Sequence, residues 1–129
     1  GDDPPDLVVW PETVLRVPVL RKPTWRRRIE ALSAELDAPL LVGVLDRDRT
    51  GVAEHNAALL VDPFMRRPAE PGSGPPPRRS QLYHKQNLLP FGEYVPGPQG
   101  LLSHWRTTGA FVAGEAAPRL QLMSREPSA

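Results

Sequence analysis

The sequence predicts an α/β domain, because two buried-strand patterns flank one amphipathic helix. Residues 7–10 and 40–45 are short, continuous apolar runs rich in β-branched residues, which are typical of buried strands in a parallel or mixed sheet. Between them, residues 23–36 begin with a proline and carry apolar side chains at helical spacing, namely Trp25, Ile29, Leu32 and Leu36. Trp25 is therefore expected to be a packing residue rather than a functional one.

Glu12 follows the first predicted strand, which Pro11 ends. Its carboxylate would emerge at the carboxyl end of that strand, and this is the edge at which α/β sheets bind ligands. Glu12 would equally suit a solvent-exposed place in a strand-to-helix loop, and this segment alone does not decide between the two. Trp10 is interpreted as a core or pocket-wall residue rather than as part of the chemistry.

The second predicted strand continues into a hairpin. A polar turn at 46–51 leads to a third strand at 52–61, and the proline in residues 62–63 ends this strand. Asn56 lies inside the apolar part of this strand, so it is either a hydrogen-bonded core amide or a substrate contact. His55 beside it has no second histidine or carboxylate at metal-ligand spacing, and no metal site is predicted.

Proline and glycine concentrate in residues 66–80. A segment of this composition cannot pack a core, and it predicts a surface loop between two structured pieces of one domain. Further on, residues 101–105 predict a short helix. Residues 119–123 alternate apolar with polar side chains and predict a half-buried strand.

The composition excludes several classes of function. The chain has 129 residues, of which 40% are hydrophobic, and this fits one domain or part of a larger one. Its net charge of +1 creates no field that favours nucleic acid or an anionic membrane. Cysteine is absent, which excludes disulfides, thiolate metal sites and a cysteine nucleophile within these residues. No apolar run reaches the roughly 20 residues that span a bilayer. Because the sequence does not begin with methionine, it is expected to be a piece of a longer protein.

Residues 82–96 form the centre of the functional argument. They contain Lys85 and Glu93, with an apolar stretch and a Pro-Phe-Gly turn between them. The turn would bring the carboxylate back toward the ammonium group. Since buried charges are tolerated only when they are paired, the segment is either a structural ion pair or part of a catalytic site.

Two stretches resemble catalytic motifs of the nitrilase, or carbon–nitrogen hydrolase, superfamily. Residues 7–13 resemble the first motif, and residues 83–85 running into 88–96 resemble the second. The Pro-Phe-Gly-Glu-Tyr-Val-Pro continuation is similar to a narrower group, the apolipoprotein N-acyltransferases. The resemblance extends from residue 6 to about residue 114. It implies that residues 1–129 are the N-terminal portion of a nitrilase-like αββα sandwich.

The resemblance also implies a Glu–Lys–Cys site that needs no cofactor. Glu12 would be the general base, Lys85 would stabilise the oxyanion, and Glu93 would be an auxiliary acid that orients the site. The family's cysteine lies beyond the region that matches 119–123, so this chain is expected to be inactive alone.

The implied reaction transfers a fatty acyl chain from a phospholipid to the N-terminal amine of a diacylglyceryl lipoprotein. It would take place on the extracytoplasmic side of the bacterial inner membrane, with membrane contact through segments absent from this chain. Two other functions stay open: an amidase of the same superfamily, which the tail of the second motif disfavours, and a non-catalytic binding module. A binding module would be stable and soluble, whereas a fragment would aggregate through an exposed sheet edge.

Overall fold

The computed structural model describes residues 3–66, 78–97, 111–116 and 119–123. In these ranges the chain is α/β, as predicted. In order, the elements are β1 (Val8–Val9), β2 (Leu15–Pro18), a 3-10 helix (Val19–Arg21), α1 (Pro23–Glu35), β3 (Leu40–Arg47), β4 (Glu54–Arg66) and β5 (Arg78–His84).

The strands form one mixed sheet. Strands β1 and β2 both lie parallel to β3, while β3, β4 and β5 form an antiparallel meander. Strand β1 pairs with the beginning of β3 and β2 with its later part, through Leu15 opposite Val44. The predicted hairpin is therefore present, and its two long strands form the middle of the sheet.

One face of the sheet packs against α1 and forms the core. Alternate residues of β3 and β4 face this side, because successive side chains of a strand point to opposite faces. The core contains Val19, Ile29, Leu40, Val42, Val44, Ala57, Leu59 and Val61, each at most 5% exposed. The other face contains Asn56 and Tyr83, which share a face through the register of β4 with its neighbours.

Helix α1 matches the predicted helix to within one residue, but Trp25, expected to be a packing residue, lies outside the apolar core. Ile29 is 4% exposed and Leu32 packs against the core, whereas Trp25 is 36% exposed. Trp25 lies in the first turn, at the end of the helix beyond the core cluster. The guanidinium of Arg28 lies 5.5 Å from the centre of its ring, so the indole makes a cation–π contact instead.

Strand β4 does not end at 62–63, contrary to the prediction, but continues to Arg66. The register with β5 shifts between Val61 and Arg66, and proline is tolerated at such irregularities. Here the side chain of Asp62 accepts a hydrogen bond from the Phe64 amide at 2.9 Å, which satisfies that amide locally. Because β5 begins at residue 78, the predicted loop at 66–80 is too long at both ends.

Residues 119–123 do not form the predicted strand. Leu122 and Met123 are each 49% exposed, and no ladder partner pairs with this segment in the described ranges. Side chains take the place of a ladder: Gln81 Oε1 accepts the Gln121 amide at 2.9 Å, and Asp62 Oδ2 accepts the Met123 amide at 2.9 Å.

The helix predicted at 101–105 lies outside the described residues. Strand β2 was not predicted, because a four-residue run with Arg16 inside and Pro18 at its end lacks a clear strand pattern. In the described part of the chain, no helix has the length and apolar character needed to cross a membrane.

Candidate active site

Glu12 is held in a tight turn directly after β1. The Trp10 amide donates to Leu41 O at 2.8 Å, which ends the pairing with β3, and Thr13 then adopts a positive φ of 53°. Gly43 of β3 lies beneath this turn. A Cβ atom there would collide with Pro11 O and would lie 2.5 Å from Thr13 N and 2.7 Å from Glu12 Cα. Glycine at position 43 therefore lets the turn lie directly on the sheet.

Lys85 and Glu93 stand on either side of a compact turn. The Lys85 amide follows β5 and donates to Asn56 O at 2.8 Å. The turn closes through the Glu93 amide, which donates to Leu89 O at 2.9 Å, while the Leu89 amide donates to Glu93 Oε2 at 2.7 Å. Phe91, in the turn, has a φ of 61°. Glu93 is only 8% exposed, so its carboxylate is folded back against the sheet.

A short segment, residues 111–114, fixes the backbone around both residues. The Phe111 amide donates to Glu93 O at 2.8 Å, and the Gly114 amide donates to Lys85 O at 3.0 Å. A Cβ atom at Gly114 would lie 2.7 Å from the Cβ and the carbonyl oxygen of His84. The close approach of this segment to β5 therefore requires glycine.

The structure brings the three predicted site residues together. Lys85 Nζ lies 2.8 Å from Glu12 Oε1 and 3.1 Å from both carboxylate oxygens of Glu93. Glu12 reaches the lysine from the β1 side and remains 62% exposed, whereas Glu93 reaches it from beneath with 11% of its side chain exposed. Their catalytic roles stay a prediction, but their convergence on one ammonium group is a feature of the fold.

Asn56 belongs to the same cluster, although the sequence left its role open. Its Nδ2 donates to Glu12 Oε1 at 2.6 Å and to Glu93 Oε1 at 2.8 Å. Its Oδ1 accepts a hydrogen bond from Thr13 Oγ1 at 3.2 Å. The residue is a hydrogen-bonded buried amide, as one of the two interpretations held, and its partners are the site carboxylates. The available signal was an amide in the middle of an apolar strand.

The charges stabilise one another. The hydrogen bond from Lys85, and then that from Asn56, lower the pKa of Glu12. Burial raises the pKa of Glu93, but the Leu89 amide, Asn56 and Lys85 together outweigh it, and that pKa lies below its ordinary value. The hydrogen bond to Glu12 leads the causes that raise the pKa of Lys85. Near neutral pH the site therefore holds two carboxylates and one ammonium group.

A cavity of about 190 Å³ opens beside these charges. Its walls are mainly apolar, and its polar end is formed by Glu12, Asn56 and Lys85. The rest of the lining comes from Trp10, Leu41, Gly43, Ala57, Ala58 and Tyr83. Trp10 is thus a pocket-wall residue that also packs against the core. An apolar cavity that ends in a few convergent polar groups is typical of small ligand sites.

A second cavity, of about 480 Å³, lies away from these charges. Two imidazoles, of His55 and His84, stack in its wall with their centres 4.2 Å apart and an angle of 10° between their planes. His84 Nε2 lies 2.8 Å from Asp46 Oδ2, and His55 Nδ1 lies 2.8 Å from Val112 O. Over the described ranges, no three histidine or acidic side chains are placed to hold one metal ion.

Comparison with known proteins confirms the resemblance to the apolipoprotein N-acyltransferases. The chain is 36% identical over 93 residues to an apolipoprotein N-acyltransferase of Pseudomonas syringae pv. tomato, over 70% of this chain and 16% of that protein. It is 34% identical over 95 residues to that of Geobacter metallireducens, covering 72% and 16%, and 28% identical over 92 residues to that of Photobacterium profundum, covering 70% and 16%. No family model matches the chain. The chain spans about 16% of the length of these relatives.

Proposed function

We propose that this chain supplies the charged residues of an acyl-transfer site, because it is related to a segment of the apolipoprotein N-acyltransferases. The reaction would move a fatty acyl chain from a phospholipid to the N-terminal amine of a diacylglyceryl lipoprotein. It would take place on the extracytoplasmic side of the bacterial inner membrane. The observation that carries this proposal is the contact of Lys85 with both Glu12 and Glu93 at the polar end of an apolar cavity.

The fold we propose is part of a nitrilase-like αββα sandwich. Two observations support it. In the described residues α1 covers one face of the sheet, and the face with Asn56 and Tyr83 contains the cavity. A second sheet packed on that face would enclose the cavity and exclude water from the charges. Exclusion of water strengthens the electrostatic contribution of Lys85.

The chemistry requires a thiol in addition to these residues, and the 129 residues contain no cysteine. In the proposed reaction, Glu12 accepts the proton of that thiol, and the thiolate attacks the carbonyl carbon of the phospholipid ester. Lys85 donates a hydrogen bond to the resulting oxyanion. The intermediate collapses to a thioester, and the proton on Glu12 passes to the departing lysophospholipid alkoxide.

The second half of the reaction uses the same residues. The lipoprotein amine attacks the thioester carbonyl, Lys85 again stabilises the oxyanion, and Glu12 accepts the amine proton. The amide forms, and the thiolate leaves and recovers its proton from Glu12. Glu93 keeps Lys85 charged and correctly placed in both halves, because its buried carboxylate lies against the ammonium group.

A segment exchange tests this function. The matched segment of the Pseudomonas syringae relative is replaced by the matched residues of this chain, and transfer from phospholipid vesicles to a diacylglyceryl lipopeptide is followed by mass spectrometry. We expect the chimaera to transfer acyl chains. Because an oxyanion donor contributes on the order of 10²–10³-fold to turnover, we expect Lys85→Met to reduce transfer by at least that factor.

Lys22→Met is the matched control, since Lys22 is exposed and lies at the start of α1, away from the cluster. This variant should retain the activity of the chimaera. Undiminished transfer by a folded Lys85→Met chimaera would contradict the proposed role.

A further inference from the structure

Both donor hydrogens of the Asn56 amide are used within the site. Asn56 is 4% exposed near the beginning of β4, and the two hydrogens of its Nδ2 point to two different carboxylates. The distances to Glu12 Oε1 and Glu93 Oε1 are 2.6 Å and 2.8 Å. A side-chain amide has two N–H donors and one acceptor oxygen. Asn56 therefore has no donor left for a substrate, which favours the core-amide interpretation over direct substrate contact.

Thr13 determines which way this amide faces. The Thr13 hydroxyl donates to Asn56 Oδ1 at 3.2 Å, and Thr13 directly follows Glu12 in the turn on Gly43. If the amide rotated by half a turn, its oxygen would face two carboxylate oxygens and lose a donor. The orientation is thus fixed by one neutral donor on one side and two anions on the other.

The neutral character of Asn56 suits the charge balance of the cluster. Two carboxylates surround one ammonium group, so the described cluster has one negative charge in excess. A third carboxylate at position 56 would add repulsion, and an apolar side chain would remove one of the two donors that Glu12 and Glu93 share, leaving the ammonium group of Lys85. An amide supplies two hydrogen bonds and no further charge.

We infer that Asn56, oriented by Thr13, is a positioning residue that keeps Glu12 and Glu93 together on Lys85. This inference rests on the proposed function only in naming the reaction that the cluster serves. The arrangement itself is a property of the folded chain. It acts by sharing one nitrogen between two carboxylates that come from different parts of the chain.

The decisive experiment is a carboxyl titration by carbon-detected NMR on the 129-residue chain. In Asn56→Leu, which retains the approximate size of the side chain and removes its donors, we expect the pKa of Glu12 and of Glu93 to rise by about one unit. Asn87→Leu makes the same chemical change at an exposed amide, and it should leave both values unchanged. Unchanged values in a folded Asn56→Leu chain would overturn the inference.

Thr13→Val provides a second route if Asn56→Leu does not fold. Valine keeps the shape of threonine and the amide of Asn56, but it removes the donor that orients that amide. We expect the pKa of both carboxyls to rise in the same direction by a smaller amount. If neither value moves in Thr13→Val, the orienting role of Thr13 is wrong and the inference fails.

Kinetics in the chimaera separates this inference from the proposed function. For a residue that acts through Glu12 and Glu93, we expect Asn56→Leu to lower kcat by roughly 10–100-fold. The KM for phospholipid should stay within about twofold, because uniform substrate binding is not lost. If Lys85→Met retains transfer, the proposed function fails while the titration result can stand. If the carboxyl titrations do not respond to Asn56→Leu, the positioning inference fails even where transfer depends on Lys85.

Discussion

At the scale of single residues, hydrogen bonds stabilise a site in which two carboxylates face one ammonium group. Glu12 and Glu93 share two donors, the ammonium group of Lys85 and the amide of Asn56. Hydrogen bonds to ionised groups are stronger than neutral ones, and a buried carboxylate is tolerated because it has several of them. The more buried of the two, Glu93, also accepts the Leu89 amide.

The pH dependence of stability tests the state of Glu93. Its pKa in the folded chain lies below the ordinary value of 4.5, so ionised Glu93 stabilises the fold above that pH. This contribution is lost as the pH falls through the folded-state pKa. We expect Glu93→Gln to lower the free energy of unfolding by about 1–3 kcal/mol near neutral pH, because the new amide donors would face Asn56 and Lys85. The difference from the wild type should shrink below pH 4.5.

The measurement is denaturant unfolding from near-neutral pH to below pH 4.5, with Glu35→Gln as the control. Glu35 is exposed at the end of α1, and its replacement should cause a small change in stability near neutral pH. If the difference in unfolding free energy between wild type and Glu93→Gln grew on acidification, folding would raise the pKa of Glu93 rather than lower it.

At the scale of the elements, close backbone contacts set the position of each site residue. The turn that carries Glu12 lies on Gly43 of β3, and the turn that carries Glu93 is tied to residues 111–114. Strand β4 lies between them and supplies Asn56 to both sides. The turn of Glu12, the turn of Glu93 and β4 approach one another at the end of the sheet, and this approach brings the charges together.

Gly43→Ala tests the first of these contacts. The new Cβ would overlap the backbone of Pro11, Glu12 and Thr13, and a backbone in a tight turn has little room to move away. We expect a loss of about 1–3 kcal/mol in the free energy of unfolding, as for other overpacked sites. We also expect a rise in the pKa of Glu12, because its carboxylate would move away from Lys85. Denaturant unfolding and NMR titration measure the two effects.

Gly92→Ala is the matched control for this change. A Cβ at Gly92 would lie 3.7 Å from Leu89 Cβ, an ordinary contact distance. Its effect on both measurements should be small. Equal effects of Gly43→Ala and Gly92→Ala would mean that the turn of Glu12 is not held by its contact with β3.

At the scale of the whole molecule, the two faces of the sheet differ in composition. One face packs against α1 and contains the apolar core, while the other contains the cavity of about 190 Å³ and its charged end. Residue 12 and residue 85 are 73 positions apart in the chain, yet both reach the same end of the sheet. The apolar core on one face therefore holds together the strands that carry the site on the opposite face.

A pair of truncations in α1 tests how the helix holds the sheet. Ile29 is 4% exposed within the core, so Ile29→Ala should lower the free energy of unfolding by about 2–5 kcal/mol. Trp25 is larger, but it is 36% exposed and lies beyond the core cluster. We expect Trp25→Ala to cost less than half as much as Ile29→Ala in denaturant unfolding. The reverse order would mean that Trp25 is the principal contact of the helix.

Much of the architecture could be predicted from the sequence because it depends on local patterns. Helix α1 was predicted to within one residue, and the strands β1 and β3 and the hairpin between β3 and β4 follow from apolar runs and a polar turn. Local patterns failed where partners decide the outcome. Strand β4 continues past Pro63 to Arg66 with a shifted register against β5, and two amides of 119–123 are bound by side chains of distant residues instead of by a neighbouring strand.

By itself, the sequence determined that the chain is α/β, because the apolar patterns of strands and helices are local properties, and its resemblance to known motifs indicated which three charged residues to consider. Only the tertiary structure decided that Glu12, Lys85 and Glu93 meet, and that Asn56 connects the two carboxylates. The physical reason is that such contacts depend on strand register and on the close approach of distant backbones at Gly43 and Gly114. A one-residue slip in the register of β4 would turn Asn56 to the helix side of the sheet.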